Sequence, residues 1–186
     1  MTITPSGYSV LREGNTAPDF SLPGIDGKTH SLMETKGAKA TLVIFMCNHC
    51  PFVKPKMPYL RAIHEKYAGK GLAMFAINSN DQNAYPEDDF AHMKETAKAQ
   101  GFSFPYLLDE SQEVARAYGA ACTPDPFLFD AGFGLVYHGR IDDAHKEPHE
   151  KAKTNELEEA VKQVLAGKEV TVKEEPSYGC NVKWKA

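Results

Sequence analysis

Six residues without a charged side chain, Thr41-Leu42-Val43-Ile44-Phe45-Met46, run straight into Cys47-Asn48-His49-Cys50-Pro51. After Thr41 the run shows no polar alternation, the pattern of a central strand covered on both faces. A helical pattern follows, with Met57, Leu60, Ile63 or His64, and Tyr67 at helical spacing and with Gly69 and Gly71 near its end. Two thiols three residues apart at a strand-to-helix junction can close a small disulfide with little rearrangement. The first lies near a helix N-terminus, where unpaired N–H groups and the macrodipole favour a thiolate. Such placement lowers a cysteine pKa from about 8.5 into a range of roughly 3.5–7.5. The junction points to thiol redox chemistry.

The rest of the chain predicts alternating strands and helices. Ala17–Pro23 and Lys28–Leu32 flank Gly24-Ile25-Asp26-Gly27 and read as a hairpin. Pro55 and Pro58 fall inside the first helical pattern, so an irregular first turn or a kink is expected. Leu72–Ile77 predicts a second buried strand, and Pro86 suits the first turn of a helix through Phe90, Met93 and Ala97 to Gly101. Phe104–Leu108 reads as a short strand. Asp109 and Gln112 resemble a capping box opening a helix that ends at Gly119. Pro126–Asp130 and Leu135–Ile141 predict an antiparallel hairpin. Leu157, Ala160, Val161, Val164 and Leu165 mark the clearest amphipathic helix, stopped by Gly167. This order implies an α/β fold with a mixed sheet and helices on both faces.

Composition removes several function classes. At 186 residues the chain reads as one domain, burying about 70% of its unfolded surface. A net charge of −4 offers no electrostatic footprint for nucleic acid or an anionic membrane, and no apolar stretch reaches the length of a span. Met1–Gly14 shows no apolar leader segment, and four cysteines are too few for a disulfide scaffold. A reducing, cytoplasmic setting is the expectation, with the cysteines catalytic, metal-binding or incidental. No cofactor is expected.

The element order, with a dithiol at the end of a central strand, resembles the thioredoxin fold. Ala17-Pro18-Asp19-Phe20 followed by Asp26-Gly27-Lys28 is similar to the opening of peroxiredoxins and TlpA-like thiol-disulfide oxidoreductases. Pro55 matches the helix proline after the thioredoxin dithiol, and Thr123-Pro124 matches the family's cis-proline. The CNHCP motif with Gly179-Cys180 and Lys183-Trp184 resembles a peroxiredoxin-like subgroup. The resemblance spans about residues 14–167. It implies a thioredoxin-like (peroxiredoxin-like) domain over residues 1–168, with a C-terminal tail, residues 169–186, packing on it. Two departures stand out. Cys47 occupies the hydroxyl position of a peroxidatic site and Pro124 the position of its arginine, so a leaving hydroxide loses stabilising donors. The strand Thr41–Met46 carries no buried carboxylate to take a thiol proton, and Met46 replaces the usual tryptophan.

Cys47 is expected to be the attacking thiol, because the N-terminal cysteine of such a turn is the exposed one, and Cys50, one turn into the helix, to resolve the mixed disulfide. A cationic His49 within about 4–6 Å would favour the neighbouring thiolate and make the pair more oxidising. If Thr123-Pro124 is cis, Thr123 can present its backbone to an extended substrate beside Cys47. Protein or small-molecule thiols and disulfides would be the substrates, with a thioredoxin-type reductant as a candidate partner. Two alternatives stay open: peroxide reduction with Cys50 as the peroxidatic thiol, and a non-catalytic protein binding a metal or a thiol partner. Cys47, Cys50 and Cys122 or His49 could supply zinc ligands. Cys122 reads as a small buried hydrophobe or a third redox thiol. Cys180 reads as structural or incidental, with a resolving role as the alternative. Asp142-Asp143-Ala144-His145 and His149 read as a solvated loop, with Arg140 and Asp142 at the rim of the site.

Overall fold

The computed structural model describes residues 2–186, so Met1 of the expected domain span lies outside the described residues. In chain order the elements are β1 (Ile3–Pro5), β2 (Ser21–Pro23), β3 (Thr29–Ser31), β4 (Ala40–Phe45), α1 (Met57–Tyr67) and β5 (Leu72–Asn78). There follow α2 (Phe90–Gln100), β6 (Tyr106–Leu108), α3 (Glu113–Tyr118), β7 (Cys122–Thr123), β8 (Asp125–Asp130), β9 (Leu135–His138), α4 (Glu156–Leu165) and β10 (Tyr178–Asn181). The main sheet runs β6-β5-β4-β8-β9. β4 pairs parallel with β5, and β5 with β6, whereas β8 and β9 add antiparallel on the other side.

The unbroken apolar run of β4 is explained by burial on both faces. Leu42, Ile44 and Met46 enter one core, where they meet Leu60 and Ile63 of α1, Met93 of α2 and Val161 of α4. Val43 and Phe45 enter the opposite core, with Phe127, Phe129 and Tyr118 of α3. Every residue of β4 is buried, and its one polar side chain, Thr41, is satisfied by a hydrogen bond to the Thr35 hydroxyl at 3.0 Å.

Two predicted starts differ. Pro86 opens a 3-10 turn, Pro86–Asp88, and α2 begins beyond it, where the Asp89 carboxylate caps the His92 N–H at 2.9 Å. The Asp109–Gln112 capping box does not form. Gln112 sits at φ 65° before α3, and its amide donates to the carbonyls of Ser79 and Lys183 at 2.7 and 2.8 Å. It holds the tail rather than its own helix.

A second, three-stranded sheet positions the site. β10 lies between β1 and β7, with Cys180 opposite both Ile3 and Thr123. The C-terminal strand is thereby stitched to the segment carrying Thr123-Pro124.

Candidate active site: a dithiol under the C-terminal strand

β4 delivers Cys47 to the end of the sheet, where the Met46 N–H still donates to the Ile77 carbonyl at 2.9 Å. The chain then turns. The Cys50 carbonyl accepts the N–H groups of Val53 and Lys54, both at 3.0 Å, and a 3-10 turn, Lys54–Lys56, precedes α1. The irregular lead-in expected from Pro55 and Pro58 is present, and it corrects the placement of the thiols on an α-helix N-terminus. Pro55 lacks an N–H and disfavours helical backbone at Lys54, so the α-helix begins only at Met57. Discrete donors, not the full helix dipole, stabilise charge at the sulfurs.

Both thiols are buried, Cys47 at 1% and Cys50 at 0% exposure. The Cys50 pKa is lowered to about 5. The hydrogen bond from Cys47 is the main cause; burial opposes it, and Thr123 together with the thiol and backbone N–H of Cys180 adds to it. The Thr123 carbonyl, 3.2 Å from Cys50 Sγ, favours the protonated thiol, but it is a single acceptor against several donors. Cys47 is pushed well up by its bond to Cys50, by burial and by the charge of Asp88. The two thiols titrate as a pair around a shared proton, and the donors gathered at Cys50 favour the thiolate there over the thiol expected to attack.

His49 Nδ1 lies 3.9 Å from Cys47 Sγ and 2.6 Å from Asp88 Oδ2. The bond to Asp88 raises the His49 pKa above its ordinary value, although burial opposes this. The ring stacks on Tyr85 at 5.5 Å with a 6° interplanar angle. Sequence reasoning missed Asp88. This fully buried carboxylate also accepts the N–H groups of Asn48 at 2.8 Å and His49 at 3.2 Å, and the Asn80 amide at 2.8 Å. Burial pushes its pKa up, and these donors outweigh that, leaving it lowered. The carboxylate beside the dithiol thus comes from the turn before α2, where it orients His49. The available signal was the Asp88-Asp89 doublet: one acid caps α2, which leaves the other free.

The Thr123–Pro124 peptide is cis, as the resemblance implies. Thr123 turns both its polar groups to the sulfurs, the hydroxyl 3.7 Å from Cys47 and the carbonyl 3.2 Å from Cys50. Its outer edge is not free for an extended substrate, because β10 is paired there. The close approach requires Gly179, where a Cβ would stand 2.0 Å from the Thr123 carbonyl oxygen. β10 brings Cys180 Sγ to 3.2 Å from Cys50 Sγ. Cys122 turns elsewhere, toward the carbonyls of Pro124 and Ser177, and burial raises its pKa.

Other predicted residues fall outside the dithiol. Arg140 is held by Glu156 at 2.5 Å. Asp142 is buried in an ion pair with Lys56 at 2.5 Å and bonds His149 at 2.9 Å, so this loop is not the solvated one expected. Pro124, Lys56 and Asp142 share the wall of a small cavity. As for a metal, Cys47, His49 and Asp88 have ligand atoms within 4.8 Å of one another. The Asp88 oxygens already serve four donors, however.

A mixed sheet whose central strand ends in a dithiol facing a cis-proline defines the thioredoxin-like class. The Redoxin family matches residues 12–163, and the chain belongs to that family. The chain is similar over its length to a hypothetical protein from Sinorhizobium meliloti 1021, at 46% identity and TM-score 0.90, covering 98% of each chain. It is 29% identical over 117 residues to the thiol-disulfide oxidoreductase ResA of Geobacillus thermodenitrificans, covering 63% of each; the chain therefore spans just under two thirds of that relative. A thioredoxin domain of a thiol-disulfide oxidoreductase from Bacteroides vulgatus shares the fold, at TM-score 0.59 and 23% identity, covering 69% of this chain and 88% of that one.

Proposed function

We propose that the protein is a thiol-disulfide oxidoreductase cycling Cys47 and Cys50 between dithiol and disulfide with protein thiol or disulfide partners. The observation that carries this reading is geometric: the two thiols face the cis Thr123–Pro124 peptide, with the Thr123 hydroxyl 3.7 Å from Cys47 and its carbonyl 3.2 Å from Cys50. The donors around Cys50 hold its thiol below its usual range. An ionised sulfur is the species that attacks a disulfide.

The roles follow from the contacts. Cys47 lies next to His49, whose side chain is 11% exposed. Moving the shared proton to Cys50, where the Thr123 carbonyl accepts it, leaves Cys47 as the attacking thiolate beside a cationic imidazole. Cys47 then joins the partner sulfur and the partner's other thiolate leaves. In this mixed disulfide Cys50 loses the Cys47 hydrogen bond but keeps those of Thr123 and Cys180; its proton leaves and the thiolate attacks Cys47 to release the partner. His49, oriented by Asp88, and Thr123 position the two sulfurs. The name carried by the ResA relative supports this assignment. Peroxide reduction and an antioxidant role are less well supported, since Arg140 is committed to Glu156 and Pro124 replaces the arginine of a peroxidatic site.

The test is trapping with a disulfide-linked peptide. The Cys50→Ser variant should accumulate a Cys47 mixed disulfide, and Cys47→Ser should not. An adduct stable only in Cys47→Ser would exchange the two roles, and inert thiols in both variants would end the reading.

A further inference from the structure

The C-terminal strand brings a third sulfur into the site. We propose that Cys180 is a redox residue that takes over Cys50 from the oxidised dithiol, forming a Cys50–Cys180 disulfide and returning Cys47 to the thiol state. The inference rests on the dithiol cycle above and adds to it a second resting place for the oxidising equivalent.

Placement carries the argument. Cys180 Sγ is 3.2 Å from Cys50 Sγ, only about 1.2 Å longer than a disulfide bond. The strand holding it is clamped at both ends. Before it, the Ser177 hydroxyl donates to the Pro124 carbonyl at 2.6 Å and the Ser177 N–H to the Ser6 hydroxyl at 2.8 Å. After it, the Lys183 N–H donates to Asn80 at 2.9 Å, while the Lys183 carbonyl accepts from Gln112 at 2.8 Å. The Gly179 approach to Thr123 fixes the height of the strand over the sulfurs. Cys122, in the same sheet, points its thiol at carbonyl oxygens instead.

The step is balanced without any outside oxidant. Starting from the Cys47–Cys50 disulfide, the Cys180 sulfur gives up its proton and attacks Cys50. The Cys50–Cys180 bond forms as the Cys47–Cys50 bond breaks. The electron pair leaves on Cys47, which regains the proton, and the number of disulfides is unchanged. Charge makes the exchange conditional. In the reduced protein Cys180 is pushed up to about 12 by burial, by its hydrogen bond to Cys50 and by the charge on Cys50. The last two causes vanish once Cys50 is in a disulfide, while Lys183 and Lys146 continue to pull the thiol down. Oxidation of the dithiol thus removes two of the three causes that hold the third sulfur protonated, and burial is the one that remains. A partner then meets a free Cys47 while the oxidising equivalent lies beneath the tail, and β10 is covalently pinned over Thr123.

The experiment oxidises the full chain with glutathione disulfide, quenches in acid, alkylates with N-ethylmaleimide and maps linked peptides. Wild-type protein and Cys122→Ser should both yield Cys50–Cys180 with Cys47 alkylated, and Cys180→Ser should yield Cys47–Cys50 alone. In Cys47→Ala, oxidation should remove the two thiols Cys50 and Cys180 and retain no glutathione. If Cys47–Cys50 forms but Cys180 is alkylated in every molecule, or if Cys47→Ala keeps glutathione on Cys50 beside a free Cys180, the inference is overturned and the dithiol cycle stands. If the wild-type protein forms no disulfide at either Cys47 or Cys50, both fall together.

Discussion

Replacing Asp88 by Asn keeps the side-chain volume and one oxygen for the N–H groups of Asn48 and His49, but removes the charge and turns a donor toward two donors. His49 Nδ1 at 2.6 Å and the Asn80 amide at 2.8 Å both face Asp88 Oδ2. Asp88 is fully buried and the His49 side chain is 11% exposed, so water cannot replace what is lost. Breaking a buried pair of this kind costs about 3–5 kcal/mol. The unfolding entropy of a chain this long is about 0.4 kcal/mol/K, which converts the loss to a Tm drop of roughly 8–13 °C. The drop should depend on pH. His49 has a raised folded pKa, so its contribution is complete below its unfolded value of about 6.5 and is lost as pH rises through the folded value. Asp88 has a lowered folded pKa, so its contribution is present above about 3.9 and is lost as pH falls through the folded value. Wild type and Asp88→Asn should therefore differ most between about pH 4 and 6.5, and the difference should shrink at alkaline pH. What remains there is the stranded Asn80 amide, about 1–3 kcal/mol. Calorimetric melts of reduced protein from pH 4 to 9 test this. A drop below about 2 °C, or the same drop at pH 5 and pH 9, would refute the ion pair as the organiser of the site.

Three more outcomes follow from the contacts. Cys47→Ala removes the main cause of the low Cys50 pKa, so the midpoint of Cys50 alkylation by iodoacetamide, read peptide by peptide, should rise from about 5 by more than one unit; an unmoved midpoint contradicts the shared proton. Gly179→Ala places a methyl 2.0 Å from the Thr123 oxygen, so β10 must lift, and alkylation of Cys50 and Cys180 in the folded protein should speed up about tenfold or more. Unchanged rates would show that the strand does not cover the dithiol. Lys56→Met leaves the buried Asp142 charge opposed only by His149 and should cost about 3–5 kcal/mol in urea unfolding, with most of it recovered when Asp142→Leu is added; no recovery in the double variant would exclude the pair as the source.

How much of this was legible depended on how far apart in sequence the interacting groups lie. The β4 run, the hairpins and α4 were readable because burial on one or two faces writes its period into neighbouring residues. Thr123-Pro124 and the dithiol were readable as motifs. The charge on the dithiol was not, because the groups that set it come from elsewhere in the chain: Thr123 is 73 residues from Cys50, Cys180 is 130 residues away, and Asp88 is 39 residues from His49. A motif states which sulfurs are present. Their order of ionisation is set by donors that no local pattern encodes, so the junction marks the dithiol while the groups that tune it lie elsewhere in the chain. The tail repeats the point. Residues 169–186 lack the periodicity of a packed element, yet Ser177, Cys180, Val182 and Lys183 are buried within it, because its partners are backbone groups at Ser6, Asn80, Ala121 and Thr123 or side chains that reach them. Backbone pairing leaves no side-chain signature. The glycine at 179, which only a close strand crossing requires, was the one local trace that the tail folds back over the sulfurs.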